Sequence, residues 1–240
     1  MTLRVLFRDE HLVAVHKPAG LLVHRSAIDR HATEFAVQRV RDQLGQRVFP
    51  VHRLDRPVSG VLVFALDARS ARALSAQFAS GEASKTYLAV VRGHTPDAAS
   101  IDYPLREQLD RISDALADPD KPAQPALTHY RTLARYELPE AVGRYASARY
   151  SLLEVTPRTG RKHQIRRHLK HVFHPIVGDT THGDGKHNRF IRARFSCARL
   201  LLAATRLRVA HPFSGQPLLL EAAPDAEFAA LVDALRAYPT

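Results

Sequence analysis

HRLDRPVSGVLVFAL, residues 52–66, joins a charged loop to an unbroken apolar run. Val61–Leu66 is rich in β-branched and large aliphatic side chains, the pattern of a strand covered on both faces. The loop before it sets one carboxylate, Asp55, between two guanidinium groups, Arg53 and Arg56. Pro57 fixes φ and removes a donor, while Gly60 permits a backbone that other residues resist. Neighbouring cations favour the ionised form of an acid, so Asp55 is expected to stay charged. An ionised carboxylate suits a nucleophile better than a proton donor. A salt bridge in a surface turn shows the same Arg-x-Asp pattern, so the loop alone does not settle its role.

Upstream, Leu3–Phe7 and Leu12–Val15 read as short strands, followed by a Lys17-Pro18-Ala19-Gly20 loop and a third short strand, Leu21–Val23. Ala36, Val37, Val40 and Leu44 recur at helical spacing, and Gly45 is a natural stop. Downstream, Ala71, Leu74 and Phe78 define a second helix between Asp67 as N-cap and Gly81 as terminator. Lys85–Val91 reads as a buried strand, and Ala126–Leu133 and Tyr150–Thr156 as further strands. Between them, residues 97–125 are acidic and rich in proline and alanine, the texture of a solvated insertion with a helical turn pair near Leu109–Leu116. Arg161–Lys170 reads as a basic helix with Ile165 and Leu169 turned inward. Leu200–Leu202, Leu207–Val209 and Leu218–Leu220 are strand candidates, and Phe228, Leu231, Val232 and Leu235 stripe a closing helix after Asp225. Many sequential strands with a few helices point to an α+β fold on a mixed, largely antiparallel central sheet. The expectation is one domain, residues 1–240, with two lobes about a cleft and the 97–125 insertion at its surface.

The formal charge of +11 and the pI near 10.3 point to a polyanionic partner, nucleic acid first. Cys197 is the only cysteine, which excludes an internal disulfide and four-cysteine zinc sites and makes the cytoplasm the expected compartment. The start lacks the apolar stretch of a signal peptide, and no run approaches a membrane span. No phosphate-cradling glycine motif occurs, so a nucleotide cofactor is not expected. His168, His171 and His174 are spaced by threes, but His174 precedes Pro175 past the helix end, and no metal site is expected. From Arg158 to Lys170 there are six lysines and arginines and no acid. Like charges at that density oppose a helix, and the phosphates of a polyanion would neutralise them.

Five stretches together resemble the RluA-type pseudouridine synthases: KPAG at 17–20, HRLDRPVSG at 52–60, KTYLAVVRG at 85–93, PRTGRKHQIRRHL at 157–169 and HPIVGDTTHG at 174–183. The likeness runs over nearly the whole chain. It implies the pseudouridine synthase fold with a catalytic cleft across its middle, and an isomerase that needs no cofactor. GLLVHRS at 20–26, PAQPALTHYR after the insertion and His182, where many relatives carry tyrosine, point within the family to members acting on tRNA, with uridine 65 as the expected target. The same chemistry on ribosomal RNA and a non-catalytic RNA-binding domain are the competing readings. By the resemblance, Asp55 is the catalytic carboxylate, Arg166 its paired guanidinium, Tyr87 the ring that packs on the target base, and Arg53 the side chain that fills the gap left by a flipped nucleotide. His52, Arg56, Lys85, Arg161, Lys162, His163 and Gln164 are the further substrate-binding candidates. Many relatives add an N-terminal RNA-binding module, which is not expected here. No membrane or obligate protein partner is expected, and the protein is read as a monomer.

Overall fold

The computed structural model describes residues 2–24, 33–107 and 122–240. In chain order the elements are β1 (Arg4–Arg8), β2 (Leu12–Lys17), α1 (Ala36–Leu44), β3 (Phe49–Pro50), β4 (Ser59–Ala65), α2 (Ala68–Ser80), β5 (Ser84–Arg92), β6 (Ala98–Asp102), β7 (Leu127–Leu138), β8 (Ala148–Pro157), α3 (Gln164–His171), α4 (Gly185–Phe195), β9 (Leu202–Ala210), β10 (Pro217–Glu221) and α5 (Ala226–Leu235). The class is α+β with mainly antiparallel pairing. Two compact units share the chain: Met1–Lys85, Pro104–Gln124 and Thr205–Ala223 form the first, and Thr86–Tyr103, Pro125–Ala204 and Pro224–Thr240 the second.

In the first unit, β2 pairs antiparallel with both β1 and β4, β3 pairs with β4, and β10 pairs with the end of β9. Every residue of β4 is buried, as an apolar run with no alternation requires. Its alternate residues Val61, Val63 and Ala65 join Leu12, Ala14, Leu74, Leu207, Val209 and Leu220 in one core. Each valine or leucine among them contributes about 1.5–3 kcal/mol when fully buried. Asp67 caps α2 by accepting from the Ser70 N–H, and Gly45 and Gly81 close α1 and α2 in the left-handed region. Leu21–Val23 is not a strand; Leu22 makes only an isolated bridge to Phe35.

In the second unit the strands run β5, β8, β7, β6, each antiparallel to the next, with a bulge between Thr132 and Ala134. The stretch read as an insertion therefore opens with a strand, β6, whose only buried side chain is Ile101. The helical turn pair expected at 109–116 lies outside the described residues. α5 carries the anticipated stripe, with Phe228, Leu231, Val232 and Leu235 buried and Asp225 capping Phe228 N–H. α4, which no apolar periodicity announced, buries only His187 and Ile191 and starts from an Asp184 cap. Gly178, at φ +80°, runs so close to the next segment that a Cβ there would lie 1.8 Å from the Arg199 carbonyl oxygen. That close approach lets Val177 bond both to Val90 and to Leu201. It fixes the start of the Asp179 turn described below.

Candidate active-site elements

In the first unit the Asp55 loop is tied from behind by one buried ammonium. Lys17 is fully buried, and its Nζ donates to the carbonyls of Pro18 (3.0 Å), Leu21 (2.7 Å) and Arg56 (3.1 Å). The Arg56 carbonyl also accepts from Gly20 N–H at 2.8 Å, and Arg56 Nε donates back to the Gly20 carbonyl at 3.1 Å. The 17–21 and 53–57 loops are thereby stitched together. A buried charge is costly unless its donors are satisfied, so Lys17 holds these carbonyls in place. Leu54, Val58 and Ser59 are buried on either side of Asp55, which is itself half-buried. Register pairing of Lys17 with Gly60 puts the base of the loop on β2. Lys17 lies inside the KPAG stretch but is not among the candidate site residues; a lone cation just after the apolar Val13–Val15 run is the signal that could have found it.

His52 is half-buried, with its ring bonded inward. Its Nε2 accepts the Val63 N–H at 3.0 Å, and its ring stacks on Phe78 at 4.6 Å. Burial, helped by Lys85, pushes its pKa down to about 3, so the ring is neutral. Lys85 lies with its ammonium 5.3 Å from the Phe78 ring, and burial lowers its pKa as well. Arg53 and Arg56 are exposed. Burial and the Arg53 charge both lower the pKa of His24.

In the second unit Tyr87 is buried on β5, opposite Val155 of β8. Helix α3 starts three residues later than its charge pattern indicated, because Gln164 organises residues 159–163 as a turn. Its Oε1 accepts from Thr159 Oγ1 (2.7 Å) and Arg161 N–H (3.0 Å), and its Nε2 donates to the Leu127 carbonyl and Thr128 Oγ1, both 3.0 Å. All four hydrogen-bonding positions of that amide are engaged inside the protein. Gln164 therefore shapes the turn from within the protein. Arg161 and Lys162 are exposed beside it.

Arg166 is buried and meets Asp179 in a two-pronged ion pair, Nε to Oδ2 at 2.7 Å and Nη2 to Oδ1 at 2.9 Å. Asp179 Oδ1 also accepts the N–H groups of Thr181 and His182, each at 2.9 Å. Burial pushes the Asp179 carboxyl up, but the Arg166 and backbone hydrogen bonds outweigh it and the net pKa is lowered. Asp179 was missed as a partner, although it is the first acid after Glu154 and follows the whole basic stretch. His163, at φ 55° just before α3, places its Nδ1 3.1 Å from Nε2 of buried His182. The three evenly spaced histidines serve separate partners: His168 bonds Thr128 and the Tyr103 carbonyl, His171 stacks on Tyr103, and His174 bonds the Arg92 carbonyl. Among the described residues no group of three or more His, Cys, Asp or Glu side chains is placed to hold a metal ion. No helix among them is long and apolar enough to cross a membrane.

A family model described as RNA pseudouridylate synthase matches residues 11–171. A Pectobacterium carotovorum protein named tRNA pseudouridine synthase C is 57% identical over 96% of this chain, which spans 61% of that protein's length. A Vibrio cholerae protein of the same name is also 57% identical, over 93% of this chain and 91% of its own. Among solved structures, human RNA Pseudouridylate Synthase Domain Containing 4 matches with a TM-score of 0.73 at 25% identity, covering 97% of this chain and 93% of that one. Human RNA Pseudouridylate Synthase Domain Containing 1, at 24% identity and a TM-score of 0.70, shares the fold. The chain thus belongs to the RNA pseudouridylate synthase family, whose members are isomerases.

Proposed function

We propose that this protein converts a uridine of tRNA, uridine 65, to pseudouridine, with Asp55 as the catalytic carboxylate. The observation that carries the reading is the 57% identity to a protein named tRNA pseudouridine synthase C over nine-tenths of both chains. The reaction breaks the N1–C1′ bond of uridine and joins C1′ to C5; the C5 proton is lost and N1 gains one. Atoms balance without a co-reactant. The base must leave its stack to be turned, at a cost of a few kcal/mol. Packing on Tyr87 returns roughly 1–3 kcal/mol of that, and Arg53 occupies the vacated place in the stack.

Asp55 engages the sugar or the detached base as a carboxylate, and the family resemblance assigns Arg166 to the same reaction. A loop fastened by Lys17 supports this role, because a nucleophile must be aimed before its substrate arrives. The Asp179 clamp supports the role of Arg166 in the same way: it fixes the plane and direction of the guanidinium. Arg161 and Lys162 contact phosphates, which position the RNA without reading its sequence. The test is incubation of the purified protein with unmodified tRNA and, separately, with unmodified ribosomal RNA, followed by mapping of pseudouridine. Product at position 65 alone is expected; product only in ribosomal RNA would replace the substrate, and none in either RNA would refute the activity.

A further inference from the structure

We propose that His163 and His182 are positioning residues for Arg166, forming a hydrogen-bonded imidazole pair that rivets the first turn of α3 to the 179–183 turn. The inference rests on the reading of Arg166 as part of the catalytic set.

The 179–183 turn is the fixed side. Asp179 Oδ1 receives the N–H groups of Thr181 and His182. Asn188 of α4 binds the turn from behind, its Nδ2 donating to the Asp179 carbonyl and its Oδ1 accepting the Gly178 N–H, both at 2.8 Å. Gly183 closes the turn so tightly that a Cβ there would lie 2.0 Å from the Asp179 carbonyl oxygen. His182 is thus a post whose backbone is held on several sides.

The start of α3, which Gln164 ties to β7 and to the 159–161 turn, is the other side. Its N-cap residue is His163, whose side chain makes no cap hydrogen bond to the helix. A histidine in the left-handed region costs roughly 1–2 kcal/mol, and the usual cap residues avoid it. The imidazole is instead directed at His182. Positions 163 and 166, three apart, fall on the same side of the helix start. His163 to His182 and Arg166 to Asp179 both join α3 to the turn. Loss of the first removes the link to the 179–183 turn that lies nearest the helix start.

The pair has a built-in proton dependence. With both rings neutral, one nitrogen donates and the other accepts, and one added proton leaves that bond intact. A second proton makes both facing nitrogens donors, and the link is lost. His182 faces Asp179, Arg166, Arg167 and Lys170, with His163 across the bond. Burial and the three cations lower its pKa against the opposing pull of Asp179. Double protonation accordingly falls below the ordinary histidine range of about 6.5.

The test compares wild type, His182→Ala, His182→Gln and Arg166→Ala for pseudouridine formation on unmodified tRNA between pH 5 and 8. His182→Ala should lower kcat by about 10-fold or more at pH 7.5, with KM within about 2-fold, as misplacement of a bound group does. Glutamine offers the same bond without titrating, so His182→Gln should recover most of kcat and lose the acid fall-off that wild type shows below about pH 6.5. Wild-type kcat in His182→Ala, or an unchanged acid fall-off in His182→Gln, would overturn the inference while leaving the activity standing. Full activity of Arg166→Ala would instead overturn the reading beneath it.

Discussion

Asp179→Ala removes the whole acceptor side of the Arg166 clamp. The wild-type pair is almost dry: the Arg166 side chain is 4% exposed and the Asp179 side chain 1%. Deleting one partner of a buried ion pair costs about 3–5 kcal/mol, because the remaining charge has lost a desolvated counter-ion. The N–H groups of Thr181 and His182 lose their acceptor in the same step. For a chain of this size each kcal/mol lowers Tm by about 2–4 °C, so the melting temperature should fall by roughly 6–20 °C. The catalytic consequence is separate. With two of its guanidinium nitrogens released, Arg166 is no longer aimed, and kcat should drop by about 10²-fold. Thermal melting followed by circular dichroism reads the first effect, and single-turnover pseudouridine formation well below the melting point reads the second. A variant within about 1 kcal/mol of wild-type stability and with wild-type kcat would refute the reasoning that this pair holds both the fold and the guanidinium.

Further outcomes are equally specific. His52 is neutral in the folded protein and charges readily once unfolded, so the unfolded state binds the extra proton and stability falls with pH between about 6.5 and about 3. The loss has an upper bound of about 5 kcal/mol, and acid-unfolding curves of His52→Gln should lack that component. Gly178→Ala should fail to fold or melt far below wild type, since its Cβ has no room beside the Arg199 carbonyl and its φ is left-handed. Replacing Arg161 and Lys162 together by Gln should weaken tRNA binding at every sequence. It should also flatten the salt dependence by about 2 in log–log slope, as measured by filter binding.

Most of the scaffold is legible in the sequence where one local rule dominates. β4 declares itself through an unbroken apolar run, and α2 through its spacing together with Asp67 and Gly81. α5 does so through its stripe and the Asp225 cap. Where tertiary context decides, the pattern is mute. α4 opens on glycine and buries two side chains, so it carries no stripe. β6 has a single buried residue, and β9 reads as two strands because Thr205 and Arg206 interrupt its apolar ends. Charge density alone started α3 too early, since Gln164 spends its amide on the turn before it. The Asp55 loop is visible because its charges and its strand are contiguous. The Lys17–Arg56 bond, the Asp179 clamp and the His163–His182 bond join residues 13 to 39 positions apart, and no local rule reports such pairings.

The central claim is that the carboxylate of Asp55 makes and breaks the glycosidic bond. Asp55→Asn changes little in shape and removes the charge. Under single-turnover conditions on unmodified tRNA, with folding verified by an unshifted melting curve and with tRNA affinity retained, the account predicts no pseudouridine above background at position 65. Pseudouridine formed by Asp55→Asn at the wild-type rate would contradict it.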